Sequence, residues 1–408
     1  MCPIFCEKRI EVKEELSCRV EVAGSGKREQ RQAARNCGFS QSEYLRGYMH
    51  SSEPTFNLSL IVPILNEAEG IEAFLQGLAA QQGVSFQAIL CDGGSTDGTV
   101  QRVSASIGDV PFPLLLIQTE KGRAQQMNAG VREATGEYFL FLHADSSFPD
   151  SYALANALSF LRQIERSAGC ERIAARFSLR FQEKAGSMSF SYYFAEGKAR
   201  LTRAGCTHGD QGFLLNRRFF AVAGPFDQSC LAMEDTRFAE TVRSLGSWVL
   251  LPVELVTSVR RFETEGLPER LVLNMILMTL DAVGREDFIR DLPGIYAAQS
   301  LAGRLRLFPF LDRIRLLIKG LPYPARMRFW FSVGHYVSMN AWQIPFYRDM
   351  CKNYRKAVPV GQGKTPNLEF FERRCETYFR TRPMALFAAG VTWVSFRGVC
   401  LLARLLDW

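Results

Sequence analysis

The chain has 408 residues, of which 47% are apolar and 22% charged, as in an ordinary globular protein. This length allows one large domain or two ordinary ones, with a core that needs no disulfide or metal to stabilise it. The net charge of +7 weakly favours acidic partners, such as nucleotides, phosphates or an anionic membrane surface.

The eleven cysteines are scattered singly and form no CxxC pair. Their odd number argues against complete disulfide pairing, so we expect a reducing, cytoplasmic compartment. The N-terminus lacks an apolar core long enough for a signal peptide. No run of 18 uninterrupted apolar residues occurs, and a membrane-spanning helix is therefore not expected.

Residues 1–56 are polar and charged, and we predict a peripheral, partly disordered extension. Within it, residues 31–49 predict two short helices with a turn at Gly38, and Ser40 with Glu43 would form a capping box for the second helix. A similar pattern opens the helical half of some ribbon-helix-helix DNA-binding proteins, but a basic segment alone is usually a solvated face. No nucleic-acid partner is expected.

Strands and helices alternate from residue 58 onwards. Apolar runs predict strands over 58–65, 86–91, 113–119 and 137–144, and amphipathic runs predict helices over 67–82, capped by Asn66, and over 122–134. This alternation predicts a mainly parallel, Rossmann-like α/β sheet. Each strand is apolar along its whole length, as expected when helices cover both faces of the sheet.

The alternation loosens beyond residue 150. Helices are predicted over 153–165, 234–246 and 267–284, and strands over 174–181 and 248–259, the last as one strand or a pair. The chain from residue 266 to 408 is expected to be a mostly helical extension, rich in aromatic residues and arginine, without a catalytic pattern after residue 285.

Two segments of this C-terminal region leave an alternative open. Residues 304–331 mix basic and bulky apolar residues, which suits either packing on the core or contact with anionic lipid. Residues 383–408 are largely apolar but are interrupted by Arg397 and Arg404. They predict either a buried C-terminal helix or an interfacial helix that Trp393, Trp408 and these arginines anchor.

The turn DGGSTDGT (92–99) follows a buried strand. Its glycines admit backbone conformations that are closed to other residues, and the Asp92 carboxylate is a strong acceptor for a nucleobase N–H. The alternative is an ordinary glycine-rich turn that Ser95, Thr96 or Asp97 caps.

Lys121 and Arg123 lie at the start of a predicted helix. The helix dipole disfavours cations at that end but attracts an anionic ligand. The pair therefore indicates either a phosphate site or plain surface charge.

The run FLFLHADSSFP (139–149) is an apolar strand that ends in a polar cluster. Ligands of open α/β sheets bind at the carboxyl ends of the strands. Asp145 in this place suits a divalent cation that bridges a diphosphate. His143 is either a second ligand of the cation or a residue that only orients the site.

Later polar clusters add further candidates. Residues 207–211 form a polar island that suits an acceptor pocket. Glu234 and Asp235 lie at a helix start, where a carboxylate serves either as a cap or as a general base. Arg260 and Arg261 suit a pyrophosphate clamp, because guanidinium pairs bidentately with phosphate.

Taken in order, VPILNE, DGGSTDGT, KGRAQQMNAG, HAD and the Glu-Asp pair resemble glycosyltransferase family 2, the inverting nucleotide-sugar transferases with the GT-A fold. Within that family, the chain is most similar to a bacterial subgroup with KGRAxQMNxG, FLHAD and SxRR motifs. The resemblance implies a glycosyltransferase domain over 57–265. The residue pattern itself predicts the extension over 1–56 and the C-terminal region over 266–408, for which peripheral membrane contact is one of the two alternatives above.

The resemblance also implies a role for each motif residue. Asp92 would contact the nucleobase, and Asp145, with His143, would bind Mg or Mn. Asp235, beside Glu234, would deprotonate the acceptor. The nucleotide pocket would be lined by Pro63, Asn66 and Glu67. Further nucleotide-binding candidates, which rest on the residues themselves, are Lys121, Arg123, Ala144, Arg260 and Arg261.

The implied activity is that of a hexosyltransferase. A sugar would pass from a nucleotide-diphosphate donor to the hydroxyl of a lipid-linked or glycan acceptor in one inverting displacement. The reaction would take place in the cytoplasm or at the inner face of the cell membrane.

Two departures from the family pattern concern this site. Gly93 replaces the second acid of DDGSTD, and His143 replaces the first acid of DxD.

Two other functions remain as alternatives. A nucleotidyltransferase of the same fold class would carry a Gly- and Arg-rich loop where this chain has ILNEAEG. A non-catalytic membrane-surface binding protein would not need the retained carboxylates.

Overall fold

The computed structural model describes residues 55–182, 189–230, 232–290, 292–297, 299 and 303–405. The helix pair predicted within 31–49 and the Trp408 anchor lie outside these described residues.

A mixed sheet of eight strands forms the centre of the first half of the chain. The strands are β1 (Phe56–Ile64), β2 (Phe86–Asp92), β3 (Leu114–Gln118), β4 (Gly136–Phe141), β5 (Ser146–Ser147), β6 (Ile173–Gln182), β7 (Phe213–Asn216) and β8 (Ser247–Ser258). Their order in the sheet is β3-β2-β1-β4-β7-β6-β8-β5. Strands β1 to β4 are parallel, β7 is antiparallel to both of its neighbours, and β6 and β8 are again parallel. The predicted α/β architecture is confirmed.

Helices flank the sheet and then make up the rest of the described chain. Those between the strands are α1 (Ile71–Ala79), α2 (Thr99–Ser106), α3 (Arg123–Glu133), α4 (Ala153–Ala168), α5 (Phe190–Ala199), α6 (Arg217–Ala223) and α7 (Glu234–Leu245). Those after β8 are α8 (Arg260–Glu265), α9 (Leu267–Ala282), α10 (Glu286–Ile289), α11 (Leu292–Ala297), α12 (Phe308–Gly320), α13 (Tyr323–Met339), α14 (Gln343–Arg355), α15 (Pro366–Arg374), α16 (Glu376–Phe379) and α17 (Arg382–Leu405).

The parallel strands are buried on both faces. In β1, Leu60 and Val62 pack into one core cluster with α1 and α4, and Ile61 packs into a second cluster with α3. The edge strand β3 departs from the expectation, because it is only partly buried and Leu115 is exposed. An edge strand has a neighbour on one side alone, so full apolarity of a strand does not guarantee cover on both faces.

The first helix is shorter than predicted. It begins at Ile71 rather than at residue 67, and Asn66 does not cap it. Asn66 has a φ of 55°, and its Oδ1 accepts a hydrogen bond from the Thr96 backbone N–H at 2.9 Å. A contact between two loops therefore replaces the predicted local cap.

The C-terminal region is helical, as predicted. The basic segment 304–331 divides at Leu321–Pro322 between α12 and α13. Helix α17 is long and apolar enough to cross a membrane by length and composition, with a mean hydropathy of 1.7 over its apolar window, of which only 22% is buried. This match rests on length and composition alone, so the expectation that no helix spans a membrane stays a prediction.

Candidate active site

A cleft of about 370 Å³ opens at the carboxyl ends of β1, β4 and β8. Its size is within the range of small-molecule sites, and the edge is the one where open α/β sheets bind ligands. The lining residues are Pro63, Ile64, Leu65, Glu67, Lys121, Gly122, Arg123, Gln126, His143, Ala144, Asp145, Phe181, Asp210, Thr257, Ser258, Arg261, Phe262, Arg270 and Asn274.

Most of the predicted site residues share this cleft. The structure brings together at its wall Pro63, Glu67, Lys121, Arg123, His143, Ala144, Asp145 and Arg261. The others, which do not line the cleft, are Asn66, Asp92, Glu234, Asp235 and Arg260. The motifs thus converge from distant parts of the sequence on one side of the sheet.

Asp92 ends β2 and is buried, with 2% of its surface exposed. Its carboxylate accepts hydrogen bonds from the backbone N–H of Gly94 at 3.0 Å and from the Ser95 hydroxyl at 2.5 Å. In this conformation the Asp92 carboxylate stabilises its own turn, and the acceptor is Asp92 rather than the capping residues Ser95, Thr96 or Asp97 of the alternative. Contact with a nucleobase stays a prediction.

Arg260 faces the loop after β1. Its Nη2 lies 2.7 Å from Glu67 Oε2, and its Nη1 lies 3.4 Å from Glu69 Oε2. The hydrogen bond from Arg260 to Glu67 therefore occupies the guanidinium that was predicted to clamp pyrophosphate. Arg261, the next residue, points its side chain to the cleft wall instead.

Lys121 and Arg123 flank Gly122 at the start of α3. Gly122 has a φ of 147°, a value that side chains disfavour and glycine tolerates. This turn leaves both cations exposed at the cleft. The site thus has positive charge at a helix N-terminus, the arrangement that binds phosphate.

Asp145 and His143 follow β4 on a short turn. Asp145 is exposed in the cleft, and its backbone carbonyl accepts a hydrogen bond from the Ser258 N–H at 3.1 Å. Burial, and secondarily the charge of Arg123, lower the pKa of His143 to about 4. His143 is therefore neutral at neutral pH, where a carboxylate in its place would add a negative charge.

Asp235 lies beside His143, behind the turn at Gly209. Asp235 Oδ2 accepts the Gly209 N–H at 2.7 Å, and Oδ1 accepts the Thr236 N–H at 2.7 Å. Burial alone would raise the pKa of Asp235, but His208, the Gly209 hydrogen bond and Arg123 together lower it. Asp235 is thus held as a carboxylate.

Glu234 has a different environment from its neighbour. Burial, and then the charge of Asp235, raise the pKa of Glu234. Its Oε1 lies 3.9 Å from Arg123 Nη1 and accepts no hydrogen bond within the described residues. The pKa values of these adjacent acids are therefore shifted in opposite directions, which is the pattern of acid and base pairs in enzymes.

Asp210 is a cleft residue that the sequence did not single out as an acid. It belongs to the predicted polar island 207–211 and sits in a 3-10 turn (Gly209–Gln211). Burial, and then the charges of Asp235 and Asp145, raise the pKa of Asp210 to about 7. Its Oδ1 is buried without a hydrogen-bond partner in the described part of the chain. The only sequence signal was the island itself, which pointed to an acceptor pocket.

Gln126 is a second residue that the sequence did not reveal. Its Nε2 donates to the carbonyls of Ile64 and Cys91, at 2.8 and 2.6 Å, and so joins the ends of β1 and β2. A Cβ at Gly93 would lie 3.0 Å from that same Nε2. The glycine that departs from the DDGSTD pattern thus makes room for this amide.

The carboxylates of the cleft fit a divalent cation that a diphosphate completes. Within the described residues, no three His, Cys, Asp or Glu side chains form a ready metal-binding group. Magnesium-type sites commonly use only one or two protein carboxylates, together with phosphate oxygens and water. Asp145 is exposed in the cleft, and Asp210 Oδ1 beside it lacks a partner, so two hard oxygen donors are at hand.

Comparison with protein families covers the segment that supplies most of the residues lining this cleft. Residues 59–222 match the family model described as glycosyl transferase family 2. This segment is a glycosyl transferase family 2 domain. The match includes β1 to β7 and ends before Glu234, so the Glu-Asp pair and β8 lie beyond it.

Curated relatives match a shorter stretch. A PGL/p-HBAD biosynthesis glycosyltransferase of Mycobacterium bovis is 36% identical over 110 residues, which are 27% of this chain and 43% of that protein. The succinoglycan biosynthesis protein ExoA of Rhizobium meliloti is 34% identical over 108 residues, 26% of this chain and 33% of that protein. The chain thus spans less than half the length of these relatives.

Solved structures of glycosyltransferases are similar over more of the chain. The mannosyltransferase PcManGT of Pyrobaculum calidifontis, in complex with GDP-Man and Mn²⁺, covers 90% of this chain and 95% of its own, with 18% identity and a TM-score of 0.42. TarS 1–349 of S. aureus, in complex with UDP-GlcNAc, covers 74% of this chain and 92% of its own, with 17% identity and a TM-score of 0.42. Both TM-scores are below 0.5, so the family model and the sheet described above carry the assignment.

Proposed function

We propose that this protein is a glycosyltransferase that moves a sugar from a nucleotide-diphosphate donor to an acceptor hydroxyl. One observation carries the proposal: acidic and basic groups from five separate segments meet in a single cleft of a family 2 domain. Cations and carboxylates together suit a diphosphate ligand, because the cations pair with phosphate and the carboxylates hold a bridging metal ion.

The donor diphosphate is proposed to lie along Lys121, Arg123 and Arg261. All three are exposed cations of the cleft wall, and the N-terminus of α3 adds its dipole. The nucleoside would extend towards Pro63 and the loop after β1, close to the Asp92 turn.

Asp145 and Asp210 are the residues that would hold Mg or Mn. When bound, the metal ion would offset the negative charge that develops on the departing diphosphate. The chain's own part is to supply carboxylate oxygens in a cleft whose cations otherwise repel such an ion. His143, neutral at this site, would contribute a nitrogen ligand or orient its neighbours.

Asp235 is proposed as the general base. Each of its oxygens accepts one backbone N–H, which fixes the carboxylate and leaves further lone pairs for the acceptor O–H. The acceptor proton passes to Asp235 as the acceptor oxygen bonds to C1 of the sugar, and the bond from C1 to the diphosphate oxygen breaks on the opposite face. The transfer therefore inverts the anomeric centre.

Further parts of the proposal concern subgroup and cellular place. The KGRAQQMNAG, FLHAD and SVRR segments support the bacterial subgroup, and a hydroxyl of a lipid-linked or glycan molecule is the proposed acceptor. The seven cysteines of the described residues are all free, in keeping with the proposed cytoplasmic location.

A thermal-shift screen with nucleotide sugars, with and without Mn²⁺, tests the function. Because ligand that binds only the folded state raises stability by about 2.7 kcal/mol at 100 times Kd, one donor should raise the melting temperature by several degrees, and more so with Mn²⁺. Asp145→Asn should abolish the Mn²⁺ increment, whereas Asp109→Asn, at an exposed site outside the cleft, should keep it. Stabilisation by a nucleoside triphosphate but by no nucleotide sugar would favour a nucleotidyltransferase instead.

A further inference from the structure

Helix α17 carries an exposed apolar stripe. Phe387, Val391, Val394, Leu401 and Leu405 are all exposed, and their spacings of three, four or seven residues place them on one face of the helix. Phe387 is 66% exposed and Leu405 70%. Exposed apolar surface of this extent marks an interaction site in a folded protein.

The same helix packs small residues against α13. Ala385 and Ala389 are buried there, next to Gly334. A Cβ at Gly334 of α13 would overlap the Ala385 carbonyl and the Ala389 N–H, so the two backbones touch at this point. Close packing through small residues is typical of helices that face lipid, where large apolar side chains gain nothing by turning inward.

Arginines form a row along one edge of the stripe. Arg382, Arg397 and Arg404 are separated by 15 and 7 residues, close to whole helical turns, and Trp393 lies in the same row with Arg397 over its ring at 5.4 Å. Neither α17 nor α13 contains an acidic residue. Arg328 of α13 adds another exposed cation. A partner of this face must therefore be both apolar and negatively charged.

We propose that the surface formed by α13 and α17 docks on an anionic lipid bilayer, with α17 lying in the plane of the interface. The apolar stripe would enter the acyl boundary, and the arginine row would remain at the level of the headgroups. The proposal goes beyond sugar transfer and does not depend on it, since none of these residues lines the cleft.

The orientation of α17 argues for lying on the membrane rather than crossing it. Arg397 lies near the middle of the helix, where a spanning arrangement would place its charge close to the bilayer centre at high cost. The helix is also held to the body along its length. Phe396 packs on Trp330 with 5.8 Å between ring centroids, and Ala403 is fully buried.

A second copy of the chain fits this face less well. Two such surfaces placed together would bring the arginine rows near each other without any carboxylate from α13 or α17 to pair with them. The acid nearest to α17 on the neighbouring helix α12, Asp312, is paired with Arg315 at 2.7 Å. Charge complementarity therefore selects anionic lipid.

Vesicle sedimentation of the full chain tests the proposal. Vesicles of phosphatidylcholine alone are compared with vesicles that contain phosphatidylglycerol, at low and high salt. We expect binding to the anionic vesicles that weakens with salt, and little binding to the neutral ones. Arg397→Gln with Arg404→Gln should weaken binding about 30-fold, since each arginine near an anionic surface contributes a factor of about five.

Matched variants separate docking from folding. Phe387→Glu with Val394→Glu should abolish vesicle binding and leave the melting temperature unchanged, because both side chains already face solvent. The control for the two glutamate substitutions is Val222→Glu, at an exposed apolar residue of α6. The control for the arginine substitutions is Arg102→Gln with Arg218→Gln. Both controls should bind vesicles as the unaltered chain does.

Three results would overturn the proposal. The first is that the protein sediments with neither kind of vesicle, and the second is equal binding to neutral and anionic vesicles. The third is a dimer in solution that does not bind vesicles and that Phe387→Glu with Val394→Glu dissociates. Protein that stays in the membrane after carbonate washing would contradict the in-plane arrangement.

Discussion

Asp235 and Glu234 are neighbours in the chain, but their environments shift their pKa values in opposite directions. Asp235 accepts two backbone N–H groups and faces His208, which keep its pKa low, whereas burial keeps the pKa of Glu234 high. Its backbone contacts thus fix Asp235 as a carboxylate, and Asp235 is the proposed base. Sequence order alone does not distinguish the two acids.

The pH dependence of kcat/KM should reveal which acid is the base. Because the folded-state pKa of Asp235 is lowered, its charged form persists as pH falls, and activity should decline only below the usual range of an aspartic acid. Steady-state rates between pH 4 and 8 check this point. A decline that begins above the usual range of a glutamic acid would assign the base to Glu234 if Glu234→Gln also abolishes activity. If that variant stays active, the decline belongs to Asp210, whose pKa burial raises to about 7.

Gly209 sets the position of this base. A Cβ added there would lie 3.0 Å from Asp235 Oδ2 and 3.2 Å from His143 Nε2. Gly209→Ala should therefore displace Asp235 and lower kcat at least tenfold, with donor affinity nearly unchanged. Gly70→Ala, where a Cβ would meet no atom within 4 Å, is the control and should keep full activity. A Gly209→Ala protein with unchanged kcat would contradict this positioning role.

A local motif was enough to place a residue near the cleft where a single segment determines the position of that residue. Asp145 and Lys121 follow single strands, and both reach the cleft as expected. Gln126 was missed, and Asp210 was predicted only as part of the polar island 207–211 and not as an acid. Their environments arise from neighbours far away in sequence, such as the carbonyl of Ile64 and Asp235.

At the scale of elements, the contact between α13 and α17 depends on one glycine. Gly334→Ala should push the helices apart and lower the free energy of unfolding by about 1–3 kcal/mol. Gly390→Ala on the exposed side of α17, where a Cβ meets no atom within 4 Å, should instead raise it by about 0.5–1 kcal/mol, since alanine is the better helix former. Urea unfolding of both proteins checks the pair. Equal stabilities would show that the two helices are not in close contact.

Helix and strand positions were predictable where the apolar periodicity of a single segment decides its structure. The helix α4 and the strand β6 occur within a few residues of their predicted bounds. The start of α1 was wrong because Asn66 bonds to the loop at Thr96, thirty residues away, instead of capping. The exposed side of β3 likewise follows from its place in the sheet order, which the sequence did not reveal.

At the scale of the whole molecule, the family 2 domain and the C-terminal helices share a core. Tyr193 of α5 packs in one cluster with Phe346 and Met350 of α14, and its hydroxyl donates to the Val358 carbonyl at 2.9 Å. Helix α9 also contributes Arg270 and Asn274 to the cleft. The boundary at 265 stays a prediction, and these contacts cross it.

Arg203 joins the two regions and offers a test of their coupling. It pairs with Glu372 and Glu376 at 2.6 and 2.7 Å and stacks over Trp342. Because this network is partly buried, Arg203→Ala should lower the free energy of unfolding by about 1–2 kcal/mol. Arg218→Ala, which breaks an exposed pair with Glu171, should change it by less than about 0.5 kcal/mol. Calorimetry that shows no difference between the two variants would mean that the regions are not coupled through Arg203.

The central claim is tested most directly by a turnover assay of Asp235→Asn beside the unaltered protein. The assay measures release of nucleoside diphosphate from the donor that the thermal screen selects. The acceptor is supplied as a lipid extract or a glycan mixture. The variant should bind the donor with the same affinity and turn it over about 100 to 10,000 times more slowly, the usual effect of losing a general base. Equal turnover by the two proteins would contradict the proposed mechanism.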